Sequence, residues 1–190
     1  TPAVQGAFDA VEALPADARV LISMDFDPAS AGELQPMATA IVRHCVLRGH
    51  RICAMTLWPA GGPIIDGTMQ DVLGGRTDFT YGERWVNLGY RAGFEGVMKQ
   101  MNAHVSLAYA NDVRKTPLEQ IPMMKGIDGI ADFDMLVDQH KAKVGAALNH
   151  VGATAMDICI CVRKRPLFDK EYQSGEIDAV SSSNPKVVVH

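Results

Sequence analysis

Two apolar runs with one amphipathic helix between them constrain this chain more than any other feature. The first is "RVLISMDF" at 19–26 and the second is "RICAMTLW" at 51–58. Compact runs of that length read as strands buried on both faces, as in the centre of a parallel sheet. Between them Leu34, Met37, Ala38, Ile41, Val42 and Cys45 recur at helical spacing, with Gln35, Thr39, Arg43 and Arg48 on the opposite side. Gly49 ends that helix as a C-terminal cap residue. The connections are short, so strand, helix and strand form a crossover with the two strands parallel. Their carboxyl ends then open on the same edge of the sheet.

The rest of the chain continues the alternation. A short helix is expected around Phe8–Leu14. "PAGGPIIDG" at 59–67 reads as a Gly/Pro loop, followed by a short helix over Thr68–Leu73. "WVNLGY" at 85–90 predicts a third strand, and a helix follows from about Phe94 to Asn102. "DFDMLVD" at 132–138 predicts a fourth strand, 140–152 a helix, and "DICICV" at 157–162 and "KVVVH" at 186–190 two more strands. The pattern specifies an α/β fold with a mainly parallel sheet flanked by helices, a Rossmann-like three-layer arrangement. It divides into a lead segment 1–17, an α/β domain 18–138, a linker or helix 139–156 and a C-terminal strand segment 157–190.

Composition narrows the function classes. Of 190 residues, 47% are hydrophobic and 21% charged, enough apolar material for a core. A formal net charge of −4 and a pI near 5.8 give no positive field to recruit nucleic acid or an anionic bilayer. No apolar stretch approaches the roughly 20 residues that cross a membrane. The sequence opens without Met or a signal-peptide pattern, so a chain that starts after a removed segment is expected. The cysteines Cys45, Cys53, Cys159 and Cys161 form no CxxC and are expected to be buried reduced thiols. His44 is expected to be solvated. His104, His140 and His150 lack ligand spacing, so no metal site is expected. No glycine-rich dinucleotide motif, phosphate loop or nucleophile elbow is present.

In a parallel α/β sheet, ligands gather outside the carboxyl ends of the strands, at the point where strand order reverses. "DFDP" follows the first strand, "TLWPAGG" the second and "GYRAG" the third. The topology therefore groups Asp25, Asp27, Thr56, Trp58, Gly61, Tyr90 and Arg91 around one crevice. The carboxylate pair at its centre has two readings. In the local one, Asp27 caps the helix ahead of Pro28, Ser30 and Glu33 form a capping box, and Asp25 accepts backbone N–H bonds. The crevice is then a binding site for a small molecule or protein, without chemistry and without a cofactor.

The other reading is chemical. A strand ending in DxD resembles the haloacid-dehalogenase-like phosphatases. That resemblance implies Asp25 as nucleophile, Asp27 as acid and base, Mg²⁺ beside them, and Thr56 after the second strand. Lys99 or Lys125, with Asp132 and Asp134, would complete the set. Pro28-Ala29-Ser30 replaces that family's Gly-Thr.

Longer stretches carry two further resemblances. "VLISMDFDPASAGELQPMATAIVRHCVLRGHRICAMTLWP", "VNLGYRAG" and "PLEQIPMMKGIDGIADFDMLVD" resemble a bacterial family of unknown function, over about residues 8–138. Its members carry an N-terminal membrane anchor before an α/β domain, which implies a chain presented at a membrane. "ICICVRKRPL" followed by "FDKEYQSGEIDAVSSSNPKVVVH" resembles the first strands of a kinesin motor domain, closest to the kinesin-13 group. In kinesins the Arg-x-Arg-Pro segment lies near the adenine of bound ATP, which implies that role for Arg163, Arg165 and Pro166. The motor's phosphate loop is missing from this sequence, so ATPase chemistry is not expected. Together the two resemblances imply a fusion or a mis-joined gene, with its boundary in 139–156.

Overall fold

The computed structural model describes residues 2–141, 158–163 and 187–189. After an N-terminal helix α1 (Pro2–Glu12), β1 (Arg19–Asp25) leads through a turn into α2 (Ala31–Leu47) and β2 (Arg51–Thr56). Helix α3 (Gly61–Leu73) and β3 (Trp85–Tyr90) follow, then α4 (Glu95–Ala103) and the single turn α5 (Val105–Ala108). Three short 3₁₀ turns lead to β4 (Met135–Lys141); β5 (Ile158–Arg163) and β6 (Val187–Val189) complete the described chain.

The sheet order is β3-β2-β1-β4-β5-β6. Strands β1 to β4 are parallel, whereas β5 and β6 join antiparallel. The chain thus winds outward from β1 to β3 and returns to place β4 on the other side of β1. Strand order reverses between β1 and β4, which makes that junction the switch point of a doubly wound α/β fold.

Each face of the sheet has its own core, because successive residues of a strand point to opposite sides. Val20, Ile22 and Met24 of β1 pack with Leu34, Ala38 and Val42 of α2 and with Ile65 and Met69 of α3. Leu21 of β1 packs on the other face with Cys53, Met55, Val86, Met101, Tyr109 and Phe133. Both alternations of β1 are buried, as its uninterrupted apolar run requires. The end of α2 is set by Gly49, whose φ of 70° suits glycine. Its N–H reaches the Val46 carbonyl at 3.1 Å, and the His50 N–H reaches Cys45 at 2.9 Å. That is the paired closure of a Schellman cap.

Four expectations need correction. The Gly/Pro loop at 59–67 is mostly helix, since α3 already begins at Gly61. Pro63 lies in its first turn, where a missing N–H costs nothing. The fourth strand starts at Met135 rather than Asp132, and Asp132 belongs to a 3₁₀ turn. The helix expected from 140 does not begin there, because His140 and Lys141 end β4; residues 142–152 lie outside the described residues. His44 is not solvated: it hydrogen-bonds Glu12 at 2.8 Å and stacks on Phe8. Cys45 and Cys53 are buried free thiols, as expected. Among the described residues no helix is long and apolar enough to cross a membrane.

Candidate functional site

Asp25 closes β1 at the switch point and is only 6% exposed. One carboxylate oxygen accepts the Leu57 N–H at 2.5 Å, and the other accepts the Ser23 hydroxyl at 2.7 Å. The Thr56 hydroxyl gives its single proton to the Met24 carbonyl at 2.8 Å, which leaves its 3.3 Å approach to Asp25 a weak contact. Helix α3 enters directly on this group. A Cβ on Gly61 would stand 2.1 Å from the Thr56 hydroxyl oxygen and 2.9 Å from the Met24 carbonyl oxygen, so only glycine admits so close an approach.

Across the β1–β4 seam, Asp138 pairs in register with Ser23. Its side chain therefore lies on the same face as Ser23 and Asp25. Burial pushes the Asp25 carboxyl up to about 7, and the neighbouring Asp138 charge adds to that; the Leu57 N–H and Ser23 hydroxyl pull the other way. A carboxyl held near neutrality at a switch point marks a functional-site candidate on physical grounds.

Asp27 has a local task. Its carboxylate accepts the Ser30 N–H at 2.9 Å and the Ser30 hydroxyl at 3.0 Å, fixing the turn ahead of α2. The Ser30 hydroxyl is thereby occupied, and Ser30 makes no side-chain bond to α2, so the Ser30–Glu33 capping box does not form.

The loops after β2 and β3 bring aromatic surface to this edge. Trp58 meets Phe94 edge-on at 6.3 Å. Tyr90 is 41% exposed and Phe94 37%. Phe94 holds φ 34° and ψ −103°, a conformation that costs a non-glycine residue about 1–3 kcal/mol. The Arg91 N–H joins the Thr56 carbonyl at 3.1 Å. Its guanidinium turns away, donating to the Ala108 carbonyl at 2.5 Å and lying over the Tyr109 ring. Arg91 is therefore a brace on the segment after α4 rather than a wall of the crevice.

Other drafted residues lie elsewhere. Lys99 pairs with Glu95 on its own helix at 2.5 Å. Asp134 accepts the Arg19 backbone N–H at 2.7 Å, and the Lys125 carbonyl accepts the Arg19 guanidinium at 3.0 Å, which places both at the amino edge. Asp132 accepts the N–H groups of Asp128 and Gly129 at 2.8 Å each. Arg163 pairs in register with Leu136, near the amino end of β4, because β5 runs antiparallel. Arg165 and Pro166 lie outside the described residues.

These residues do not fit a magnesium centre. Both oxygens of Asp25 face hydrogen-bond donors and Asp27 is held by Ser30. Among the described residues no three His, Cys, Asp or Glu side chains gather as a metal set.

Ser23 and Asp138 are the site residues that sequence reasoning passed over. The signal was present in "ISMD" and "LVD", two strand ends with an acidic residue. Only the register between them tells that these two carboxyls meet. The fold and site define a doubly wound α/β protein with two carboxyls meeting at its switch point, Asp25 buried and Asp138 beside it. Compared with models of known families, with curated proteins and with solved structures, the chain matches none.

Proposed function

We propose that this chain is a binding or scaffold domain that takes its ligand at the carboxyl edge of the sheet, without catalysis. The observation that carries this reading is the exposed aromatic surface of Tyr90 and Phe94, with Trp58 edge-on to Phe94. Ligand sites generally combine a few aimed polar groups with aromatic walls. Asp25, Asp27, Thr56 and Gly61 shape the floor, and the rings supply contact area to a small molecule or a protein side chain. Asp25 is engaged by the Ser23 hydroxyl and the Leu57 N–H, and Asp27 by Ser30, which supports binding over nucleophilic chemistry at these two carboxyls.

The test is a thermal-shift screen of a small-molecule panel that includes adenine nucleotides and phosphate esters. Compounds that raise the melting temperature of the parent chain should lose that effect in Trp58→Ala. Shifts that survive Trp58→Ala would overturn the placement of the site. Turnover of a phosphate ester with Mg²⁺, abolished in Asp25→Asn, would replace binding by the phosphatase reading.

The longer resemblances add two proposals of their own. One is presentation at a membrane by a preceding anchor. The other is adenine-nucleotide contact through Arg163, Arg165 and Pro166, which a shift with millimolar ATP, lost on Arg163→Ala, would support.

A further inference from the structure

The β1–β4 seam joins two parallel strands at the point where the sheet reverses, and acidic side chains meet across it. Ser23, Asp25 and Asp138 share one face, with Ser23 and Asp138 in register. Asp25 is nearly sealed from water, and the groups donating to it are neutral: a backbone N–H and a hydroxyl. Two adjacent carboxyls, one of them buried, cannot both carry a full charge at acceptable cost. Sharing a single proton turns that repulsion into attraction.

We propose that Asp25 and Asp138 are a proton-sharing pair that latches β1 to β4, so that losing the shared proton loosens the carboxyl edge of the sheet. The latch depends on where the two carboxyls stand and not on any ligand, so it survives or fails independently of the binding reading above.

The surroundings set its sensitivity. At the end of β2 Asp25 meets Thr56 and, just past the strand, the Leu57 N–H, and Cys53 lies in the core of the same face. On β4 His140 stands in register with Asp25, and on β5 Cys161 stands in register with Asp138. From the segment after α5 comes Tyr109, with Arg91 over its ring. Helix α4 contributes Val97, Met98 and Met101 to this core. His140 is thus the histidine among the described register neighbours of the pair, and its substitution serves as the control.

The sign follows from linkage. Burial and the Asp138 charge raise the Asp25 carboxyl to about 7, above the roughly 3.9 of an unfolded chain. The folded state holds the proton more tightly. Its contribution is therefore complete below about pH 4 and is lost as pH rises through about 7.

The experiment is melting temperature against pH, from about 4.5 to 7.5, for the parent chain, Asp25→Asn, Asp138→Asn and His140→Gln. Asp25→Asn imitates the protonated acid, so its advantage over the parent should grow across this range by on the order of 10 °C. Asp138→Asn removes the like charge and should move the parent's decline to lower pH, which tests the pair even if Asp25→Asn fails to fold. Hydrogen exchange should show the Leu57 amide opening faster at pH 7.5 than at 5 in the parent and not in Asp25→Asn. A constant gap between the parent and Asp25→Asn across the range would overturn the proposal. So would a pH response abolished by His140→Gln and kept by Asp25→Asn.

Discussion

The two edges of this sheet treat the same side chain in opposite ways. At the amino edge Asp17 is 46% exposed and takes both Arg51 and Arg84, the latter at 2.5 Å. Hydrogen bonds from Arg51, then from Arg84, hold its carboxyl below the usual range. Asp132 and Asp134 accept backbone N–H groups there. At the carboxyl edge Asp25 is buried, its donors are neutral, and a second carboxyl stands beside it. The amino edge thus pairs Asp17 with two guanidinium groups, while Asp132 and Asp134 are held by backbone N–H groups. The carboxyl edge holds an acid whose charge is unsettled near neutral pH. The difference teaches that burial and neighbours, not residue type, decide whether an aspartate is structural or responsive.

The comparison can be broken at several points, and the largest effect is expected at Gly61. Gly61→Val puts a side chain where the Thr56 hydroxyl and Met24 carbonyl already stand. A loss of about 3 kcal/mol or more in urea unfolding is expected, or a chain that does not fold. A cost below about 1 kcal/mol would show that the carboxyl edge is looser than its contacts imply.

The next effect tests the amino edge, which has a flaw of its own. His50 is 2% exposed, and among the described residues neither ring nitrogen makes a well-formed hydrogen bond, the Val11 backbone offering only a weak one. An unmet buried polar group costs about 1–3 kcal/mol, so His50→Leu should stabilise by about 1 kcal/mol at pH 7.5. Burial also lowers the imidazole's pKa. The stability it allows is present above the ordinary value near 6.5 and falls away as pH drops through the folded one. The gain from His50→Leu should therefore widen on acidification, as denaturation at pH 7.5 and pH 5 would show.

The smallest effect is Asp17→Asn, which keeps the left-handed φ of 61° tolerable while removing the charge. Because Asp17 is nearly half exposed, solvent screening limits the loss to about 0.5–1 kcal/mol. A lowered carboxylate pKa means that this contribution exists above about pH 4 and disappears as pH falls below it. Parent and variant should thus converge in acid; the Asp25→Asn pair converges there too but separates with the opposite sign as pH rises, the variant being the more stable. Parallel curves for both substitutions would erase the contrast between the edges.

Much of this was legible in the residues. "RVLISMDF" and "RICAMTLW" are buried on both faces, so their runs had no polar alternation to misread. Gly49 ended α2 as its position suggested. Helix α3 was harder, since "PAGGP" carries turn signals, while its start is licensed by a close contact with Thr56 that no local pattern records. Asp132 and Asp134 drew attention as an acidic pair, yet the strand begins at Met135 and both serve the other edge. Arg91 looked like a crevice residue from its place after β3. Its guanidinium is claimed by Ala108, well down the chain.

The sequence by itself determined the layer order of the core: which runs are central strands, which helix face is apolar, and that the β1, β2 and β3 loops emerge on one edge. Those properties follow from periodicity and short connections, which are local. Only the tertiary structure decided that β4 returns beside β1, that Ser23 meets Asp138 in register, and that Asp25 is sealed at that seam. The reason is physical. The charge state of a carboxyl depends on the solvent it has lost and the charges brought near it, and Asp25 and Asp138 become neighbours only when the sheet closes.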